Sequence, residues 1–261
     1  MCNSGFNFKF SKSRNFSTII KLLIMNKINL SQVIIAALNE QACAEKAQHH
    51  LRFFKTAPGE YGEGDKFIGV NVPDQRKIAK KYFREINLNE LEVLLTNEIH
   101  ECRSTALFML CYKFDKAGEA ERTLMADLYL NNLSFVNNWD LVDASAANIL
   151  GCYLMDKKRD LLYDFVQSND LWKQRIAIIA TFYFIRCGEF VDTFKISEML
   201  LHHPHDLIHK AVGWMLREVG NRDKEAEINF LLKHYRQMPR TMLRYAIEKF
   251  DEGLRRQFLK G

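Results

Sequence analysis

The chain has 261 residues, 48% of them hydrophobic and 26% charged, an ordinary globular composition that excludes a largely disordered protein. Four prolines and twelve glycines are too few for the turn-rich pattern of an all-β protein, so we expect an all-α fold. The net charge of +5 lies in residues 1–39, which hold five Lys and Arg residues and no acid; the balanced remainder requires any nucleic-acid surface to be a local basic patch.

Residues 1–30 form a basic leader with an apolar run at Thr18–Met25. Lys21 interrupts this run, which is shorter than the roughly twenty residues that a transmembrane helix needs. Met25 resembles an alternative translation start. We therefore expect the leader to be a disordered tail or a mis-assigned start, with import into an organelle as the alternative.

Helical periodicity begins near Ser31 and continues to Phe54, where a loop with three glycines and Pro58 follows at 56–67. Pro73 and Asp74 predict a new helix start, with proline at the first helical position and an acid in the first turn. Helix pairs are then predicted at 88–114, 119–155, 157–187, 192–220 and 223–250. The second helix of each pair is richer in small and apolar residues, which is typical of the inner layer of an α-solenoid.

The six cysteines are scattered, without a Cys-x-x-Cys pair or a His at metal-ligand spacing, which predicts reduced thiols in a cytosolic protein. The sequence has one metal-like cluster, His202, His203 and His205. It flanks Pro204 at a predicted helix junction, where a solvated turn is the preferred interpretation. We therefore predict no metal site.

A step of thirty-six residues along the chain gives two series, Arg103, Trp139, Arg175, Ala211 and Ala106, Val142, Ile178, Trp214. A period of this size indicates stacked repeats, in which equivalent positions line one surface. Residues i, i+3 and i+4 also share a helix face. We therefore expect four side chains to converge, and further cations to extend a basic track beside Arg175. The four are Trp139, Asp143, Arg175 and Trp214, and the further cations are Lys210, Arg217 and Arg244.

Each of these residues also has an ordinary explanation. A tryptophan on a repeat helix is more often part of the core. Asp143 lies near a helix N-terminus, where the helix dipole favours a carboxylate. Arg175 and Arg217 have the alternative of ordinary ion pairs. The functional interpretation depends on their coincidence in one register.

A carboxylate within a basic track calls for a chemical reason. Cations on successive repeats suit a phosphate backbone and indoles suit sugars or bases, so nucleic acid is the natural partner. Asp143 would repel that partner. In N-glycosidic bond cleavage, however, the deoxyribose becomes oxocarbenium-like, and a fixed anion stabilises it and orients water. A base made cationic by alkylation leaves as a neutral molecule without a general acid, so one carboxylate suffices.

Six motifs between about residues 40 and 250 resemble, in the same order, those of the AlkD-like DNA alkylation repair proteins. They are Tyr61–Val70, Val72–Lys77, Asn138–Asp143, Leu171–Trp172 with Arg175, Lys210–Glu218 and Met238–Thr241. The resemblance implies a right-handed solenoid of HEAT-like helix pairs over residues 31–261 that binds duplex DNA in its concave groove. It also implies excision of cationic alkylpurines such as 3-methyladenine and 7-methylguanine, without a base-specific flipping pocket.

The resemblance further implies the roles of the site residues. Asp143 would stabilise the cationic sugar and position water, Trp139 and Trp214 would hold the deoxyribose, and Arg175 would contact the backbone. The chain departs from the family at Asn138, where well-known active members carry a second tryptophan.

Fold membership alone does not establish chemistry. The alternative function is a non-catalytic repeat protein that binds branched or distorted DNA. We expect a cytoplasmic monomer, associated with the nucleoid when bound to DNA, whose partner is double-stranded DNA carrying alkylated bases. We expect it to need no cofactor, metal or membrane.

Overall fold

Helices account for the secondary structure of residues 29–260, the part of the chain that the computed structural model describes; the backbone pairing outside them is a single bridge between Lys66 and Ile99. The α-helices are α1 (Leu30–Asn39), α2 (Ala44–Phe53), α3 (Val72–Tyr82), α4 (Leu88–Leu95), α5 (His100–Lys116), α6 (Glu119–Asn131), α7 (Trp139–Ser145), α8 (Cys152–Leu154), α9 (Asp160–Gln167), α10 (Leu171–Arg186), α11 (Val191–Met199), α12 (Asp206–Gly220), α13 (Lys224–His234), α14 (Arg240–Ala246) and α15 (Glu252–Lys260). A π-helical segment, Ala147–Gly151, joins α7 to α8, and short 3-10 turns lie at Leu133–Phe135 and Ile247–Lys249. Within residues 29–260, every helix is too short or too polar to cross a membrane.

The helices form an α-solenoid, as the sequence predicts. Helices α5, α7, α10, α12 and α14 pack against one another in chain order and form an inner layer. Helices α4, α9 and α11 each precede an inner helix and pack against it, while α6 packs against the π-helical segment that continues α7, and α13 packs against α12. The five predicted helix pairs are therefore confirmed, and the predicted new helix begins at Val72, one residue before the expected first position at Pro73.

Small and apolar side chains explain why the inner helices lie so close together. Ala106, Val142 and Ile178 are fully buried. At Gly213 on α12, an added Cβ would overlap the Met242 carbonyl of α14, and at Gly151 it would overlap the Ala180 carbonyl of α10. These two positions therefore require glycine, because backbone packs directly on backbone there.

The thirty-six-residue register is only approximate. Successive inner helices begin 39, 32, 35 and 34 residues apart, because the outer helices and connections between them differ in length. Counting from each helix start gives the better alignment. The fifth residue of the five inner helices is Ser104, Asp143, Arg175, Lys210 and Arg244 in turn.

The N-terminal end differs from the expectation of one continuous helix from Ser31 to Phe54. The chain turns between α1 and α2, where the Cys43 backbone N–H donates to the Ile68 carbonyl instead of continuing the helix. This bond anchors the loop that runs from α2 to α3. The predictions about the leader concern residues that lie outside the described range, up to residue 28.

Candidate active site

A bidentate ion pair joins two neighbouring inner helices. Arg175 on α10 donates from Nε to Asp143 Oδ1 at 2.9 Å and from Nη2 to Asp143 Oδ2 at 2.7 Å. Its Nη1 donates to the carbonyl of Leu207 on α12. The Arg175 side chain is 5% exposed and that of Asp143 is 18% exposed. Two parallel bonds fix the plane of the carboxylate as well as its position.

Burial governs the protonation of Asp143. Burial raises the pKa of its carboxyl, the charge and hydrogen bonds of Arg175 oppose this, and the nearby charge of Asp140 adds to the rise. A desolvated carboxylate with a raised pKa accepts a proton or a hydrogen bond more readily than an ordinary surface aspartate. Arg175 therefore orients an anion that remains chemically active.

Two phenylalanines hold Trp139: Phe53 at the end of α2, and Phe54 directly after that helix. Its ring stacks on Phe54, with 5.5 Å between the ring centroids and an interplanar angle of 22°. Phe53 meets the same indole edge-on at 5.8 Å. Trp139 is half-buried, so one part of the ring serves the core while the rest faces solvent.

Trp214 lies on α12, the inner helix that follows the one carrying Arg175. Its indole Nε1 donates to Glu218 Oε1 at 3.2 Å, one helical turn further along α12. The ring packs at a tilt against Phe182 of α10, with 5.8 Å between centroids. Both indoles are therefore positioned by neighbouring helices before any ligand binds.

The structure brings the four residues of the predicted site together in one cavity of about 550 Å³. It is lined by Phe53, Lys55, Tyr61, Trp139, Asp143, Arg175, Leu207, Lys210, Trp214, Arg217 and Tyr245. Asp143 is the single acidic side chain in this lining, beside four cations. Aromatic rings, one oriented anion and surrounding cations are what sugar–phosphate chemistry requires.

The predicted basic track is more neutral than the sequence indicates. Lys210 pairs with Asp206 one turn earlier on α12, with 2.7 Å between Nζ and Oδ2, and Arg217 pairs with Glu248. Arg244 is exposed and lies outside the cavity lining; among residues 29–260 it forms no ion pair. Exposed pairs contribute little to stability, so phosphates can displace these carboxylates at small cost.

A buried polar cluster anchors the start of α7, comprising Asp65, His100, Arg103, Asn138 and Asp140. The ring of His100 lies between two carboxylates, with Nδ1 3.1 Å from Asp65 Oδ2 and Nε2 2.8 Å from Asp140 Oδ2. Arg103 Nη2 donates to Asp65 Oδ1 at 2.5 Å. Sequence analysis missed His100, because its partners lie 35 and 40 residues away along the chain.

Asn138 occupies the position at which the sequence resemblance leads us to expect a second tryptophan. Its side chain is fully buried, accepts from the Trp139 N–H at 2.9 Å, and donates to Asp65 Oδ2 at 3.1 Å. It therefore caps α7 and joins that helix to the loop carrying Asp65. In this chain Asn138 serves to orient Trp139 instead of adding a second indole.

The buried polar cluster is charged at neutral pH. Burial opposes ionisation of Asp65, but hydrogen bonds from His100 and the charge of Arg103 lower its pKa to about 2. Burial likewise opposes protonation of His100, but the charge of Asp140 and hydrogen bonds to both carboxylates raise its pKa to about 9. The protonated ring therefore donates to both sides and holds the loop against α7.

The histidine run at the start of α12 has structural roles. His205 Nδ1 accepts from the Leu207 N–H at 3.1 Å and caps the helix, while His203 Nε2 lies 2.9 Å from Gln174 Oε1. Within residues 29–260, no group of three or more His, Cys, Asp and Glu side chains is arranged to hold a metal ion.

The family model for a DNA alkylation repair enzyme matches residues 34–250. The chain belongs to the DNA alkylation repair enzyme family. A solved structure described as a predicted DNA alkylation repair enzyme from Enterococcus faecalis matches with a TM-score of 0.66 at 15% sequence identity, covering 81% of this chain and 98% of that chain. At this identity the likeness shows the fold alone. No curated protein matches the chain.

Membership of the DNA alkylation repair enzyme family gives the chain a role in the repair of alkylated DNA. Three further arginines, which the sequence analysis did not predict as site residues, also lie around one cavity. Arg76, Arg122 and Arg186 line a further cavity of about 360 Å³ with Asn148 and Tyr183. Arg76 could have been noticed within the Val72–Lys77 motif, and Arg186 lies eleven residues, or three turns, beyond Arg175 on the same helix.

In this family member the arginines are held by aromatic faces. The guanidinium of Arg76 lies 4.0 Å from the Phe108 ring centroid, and that of Arg186 lies 4.8 Å from Phe182. Both side chains are exposed. Arg76 donates one N–H to the Tyr112 hydroxyl and Arg186 donates one to Asn148 Oδ1, and stacking leaves their other N–H groups open to phosphate oxygens. The chain therefore carries cations along α3 and α10 that are not neutralised as Lys210 and Arg217 are.

Proposed function

We propose that the protein is a DNA glycosylase that hydrolyses the N-glycosidic bond of positively charged alkylated purines, such as 3-methyladenine and 7-methylguanine, in duplex DNA. One observation carries the proposal. The carboxylate of Asp143 is held by two bonds from Arg175, in a cavity that two indoles also line and whose other charged groups are cations. A structural acid has no need of this setting, whereas an oxocarbenium-like sugar does.

The reaction places one negative charge against one developing positive charge. As the bond between C1′ and the base nitrogen breaks, its electron pair goes to the alkylpurine, which leaves neutral. The sugar becomes oxocarbenium-like, and Asp143 stabilises it across the cavity. Water then attacks C1′ and gives up its proton to Asp143 or to solvent, which the raised pKa of Asp143 favours.

The remaining residues hold the DNA. Trp139 and Trp214 flank the Asp143 cavity and offer apolar faces to the deoxyribose. Arg175 orients the carboxylate of Asp143. We also assign Arg175 a contact with the DNA backbone. Lys210, Arg217 and Arg244 bind flanking phosphates, the first two by exchanging Asp206 and Glu248 for phosphate oxygens.

The direct test is base release from methylated duplex DNA by the wild-type protein and Asp143→Asn. Asparagine keeps the size of the side chain and removes its charge. We expect release to fall at least about a hundredfold, the usual cost of removing one transition-state electrostatic group, while duplex affinity stays equal or rises. Asp127→Asn is the matched control, because Asp127 is an exposed aspartate on the outer helix α6. Equal release by wild type and Asp143→Asn would remove the proposed role of Asp143.

A second candidate is a non-catalytic protein that binds branched or distorted DNA. The ion pair itself favours it, because Arg175 neutralises Asp143 as a purely structural salt bridge would. This function predicts tight, salt-dependent binding to a four-way junction, with no base released from methylated DNA under conditions where a known alkylpurine glycosylase is active.

A further inference from the structure

The loop between α2 and α3 begins with a strained lysine that lines the cavity containing Asp143. Lys55 lies two residues beyond the end of α2, and its φ is +55°; within residues 29–260 it is the one residue other than glycine in the left-handed region. The bonds around it form a Schellman motif, in which the Thr56 N–H donates to the Leu51 carbonyl at 3.2 Å. Glycine is the usual residue at this position, because a Cβ makes the conformation costly. The lysine side chain therefore calls for a reason beyond ending the helix.

Lys55 is loosely paired for a cation of this cavity. Its Nζ lies 3.9 Å from Glu60 Oε1, which is beyond hydrogen-bonding distance, and its side chain is 56% exposed. The ion pairs that Arg175 and Lys210 make are both 2.7 Å long. Glu60 is held separately, because the Ala57 N–H donates to its Oε2 at 3.1 Å. Lys55 can therefore exchange this partner for another anion without disturbing Glu60.

Tyr61 brings a hydroxyl into the same cavity from the same loop. Its ring meets those of Trp172 and His205 edge-on, with 6.0 and 6.2 Å between centroids, so the loop reaches the starts of α10 and α12. Burial raises the pKa of the Tyr61 hydroxyl, and a hydrogen bond from the Trp139 side chain and the charge of Lys210 oppose that rise. An indole can only donate, so the Tyr61 oxygen accepts this bond and its own proton stays available to an anion.

The backbone fixes Lys55 and Tyr61 relative to each other. The Gly62 N–H donates to the Lys55 carbonyl at 2.9 Å. A Cβ at Gly62 would overlap the Phe54 carbonyl and lie 3.2 Å from the Asn138 side chain, so the loop packs directly against the end of α2 and the start of α7. The two side chains are therefore carried by a closely packed segment of backbone.

Charge indicates which anion these donors bind. Phosphates are attached to both sides of a deoxyribose, so a sugar held beside Asp143 brings phosphates to the same cavity. A lysine without an anion would oppose the positive charge that develops on the sugar, whereas a lysine bound to phosphate does not. The reaction therefore requires that Lys55 be neutralised by the substrate.

We propose that Lys55 and Tyr61 bind a phosphate next to the damaged nucleotide and so position its deoxyribose against Asp143. The inference deepens the proposed function and rests on it. Lys55 donates a charge-assisted hydrogen bond to the phosphate, and the Tyr61 hydroxyl donates a second bond. Sequence analysis predicted neither residue as part of the site, because neither lies on an inner helix.

The test neutralises the lysine and the phosphates in turn. Lys55→Asn removes the charge and keeps a residue that tolerates the left-handed conformation. Lys66→Asn is the matched control, because Lys66 belongs to the same loop, is 60% exposed, pairs with Glu98 and lies outside the cavity lining. Lys55→Gly, which also removes the strain, replaces Lys55→Asn should that variant fail to fold.

Each protein is assayed for single-turnover release of 7-methylguanine from three duplexes. One is natural, and the others carry a neutral methylphosphonate at the linkage 5′ or 3′ to the lesion. We expect one neutral linkage to slow wild type at least about tenfold, the cost of a hydrogen bond to a charged group. Lys55→Asn should be slower than wild type by about the same factor on the natural duplex and lose nothing more on that modified one. Tyr61→Phe should show a smaller loss of the same kind, and Lys66→Asn should follow wild type throughout.

A wild-type rate for Lys55→Asn, or a further loss on each modified duplex equal to that of wild type, would overturn the phosphate site while leaving glycosylase activity in place. Full wild-type behaviour of Tyr61→Phe would remove Tyr61 from it. If no protein releases base, the proposed function fails, and the affinities of the three duplexes, measured by fluorescence anisotropy, decide instead. A loss on one neutral linkage that Lys55→Asn abolishes supports the site, and equal losses in the two lysine variants overturn it.

Discussion

Arg175 donates two parallel hydrogen bonds, of 2.9 and 2.7 Å, to the carboxylate of Asp143. Its remaining nitrogen donates to the Leu207 carbonyl. One buried side chain therefore links α7, α10 and α12 and fixes the carboxylate in the cavity that Trp139 and Trp214 also line. A point charge on a flexible stem cannot reproduce this geometry, because a lysine has no planar pair of donors.

Arg175→Lys should consequently impair catalysis more than DNA binding. We expect the rate of base release at saturating DNA to fall about a hundredfold, as expected for a roughly 1 Å displacement of a catalytic group, with little change in the DNA concentration for half-saturation. Arg256→Lys, an exposed arginine on α15, is the control. A proportional loss in DNA affinity would instead make Arg175 chiefly a phosphate ligand.

His100 should make stability fall as pH rises above neutrality. Its pKa is about 9 in the folded protein against an ordinary 6.5, so its contribution is complete below pH 6.5 and is lost as pH rises through 9. Its size is on the order of 3 kcal/mol, since each pKa unit corresponds to about 1.4 kcal/mol. His100→Gln should be less stable at pH 6 and lose less stability between pH 7 and 9.

Urea unfolding at several pH values measures this difference. The slope of the free energy of unfolding against pH should correspond to about one fewer proton for His100→Gln than for wild type near pH 8. His49→Gln, which alters an exposed histidine, should retain the wild-type slope. Parallel slopes for all three proteins would contradict a protonated His100.

Asp65 controls how the same buried polar cluster contributes to stability at acidic pH. Its pKa falls from an ordinary 3.8 to about 2, so its contribution is present above pH 3.8 and is lost as pH falls through 2. Asp65→Asn removes the charge that faces His100 and Arg103, and leaves Arg103 buried without its carboxylate partner. We expect a loss of about 3–5 kcal/mol at pH 7, measured by urea unfolding, as for other broken buried pairs.

Glu227 on α13 should destabilise the protein at alkaline pH. Burial raises its pKa to about 8 although the charges of Arg217 and Lys224 oppose this, and its Oε1 has no hydrogen-bond partner in the described chain. Between pH 4.5 and 8 the folded carboxyl holds a proton that the unfolded one has lost, so stability falls across that window and stays lower above it.

Glu227→Gln should remove this penalty. Its thermal midpoint should exceed that of wild type at pH 8.5, by roughly 2–4 °C for each kcal/mol of penalty removed, and should approach it at pH 4.5. Glu225→Gln alters an exposed acid on the same helix and should follow wild type at both pH values. A Glu227→Gln variant that is less stable at pH 8.5 would show that the carboxylate is needed.

Arg76 and Arg186 should contribute to DNA binding through phosphates. Replacing either with alanine should weaken binding to duplexes of any sequence and reduce the slope of log affinity against log salt by about one. Fluorescence anisotropy over a range of salt concentrations measures the slope, and Arg256→Ala is the control. An unchanged slope for both variants would place the DNA elsewhere on the inner layer.

The helix pairs were predictable because each inner helix carries small and apolar residues on more than one face, a pattern visible in sequence alone. The convergence of Asp143 with Arg175 was predicted from the thirty-six-residue step, which aligned Arg175 with Trp139, one helical turn before Asp143. In the structure Arg175 aligns with Asp143, since both are the fifth residue of an inner helix. The register was only approximate, because a fixed step cannot represent outer helices of different lengths.

Other parts of the site depend on contacts that no local pattern encodes. Phe53 and Phe54 reach Trp139 from more than eighty residues away, and the partners of His100 come from the loop before α3 and from α7. The sequence left an ion pair open for Arg217, but its partner, Glu248, is 31 residues away along the chain. The Lys210–Asp206 pair was visible in principle, because these residues are four apart on one helix.

The link that Arg175 makes across α7, α10 and α12 also bears on how the array deforms. Shear or rotation between these helices would break a buried bidentate bond, so the link resists relative movement of the three. His100 and Asp140 join α5 to α7 with a second buried pair, so the curvature needed to follow a bent duplex is more easily taken up beyond α12, where the pair between Arg217 and Glu248 is partly exposed. The reacting sugar would keep a fixed position, and the flanking DNA would determine how the rest of the solenoid bends.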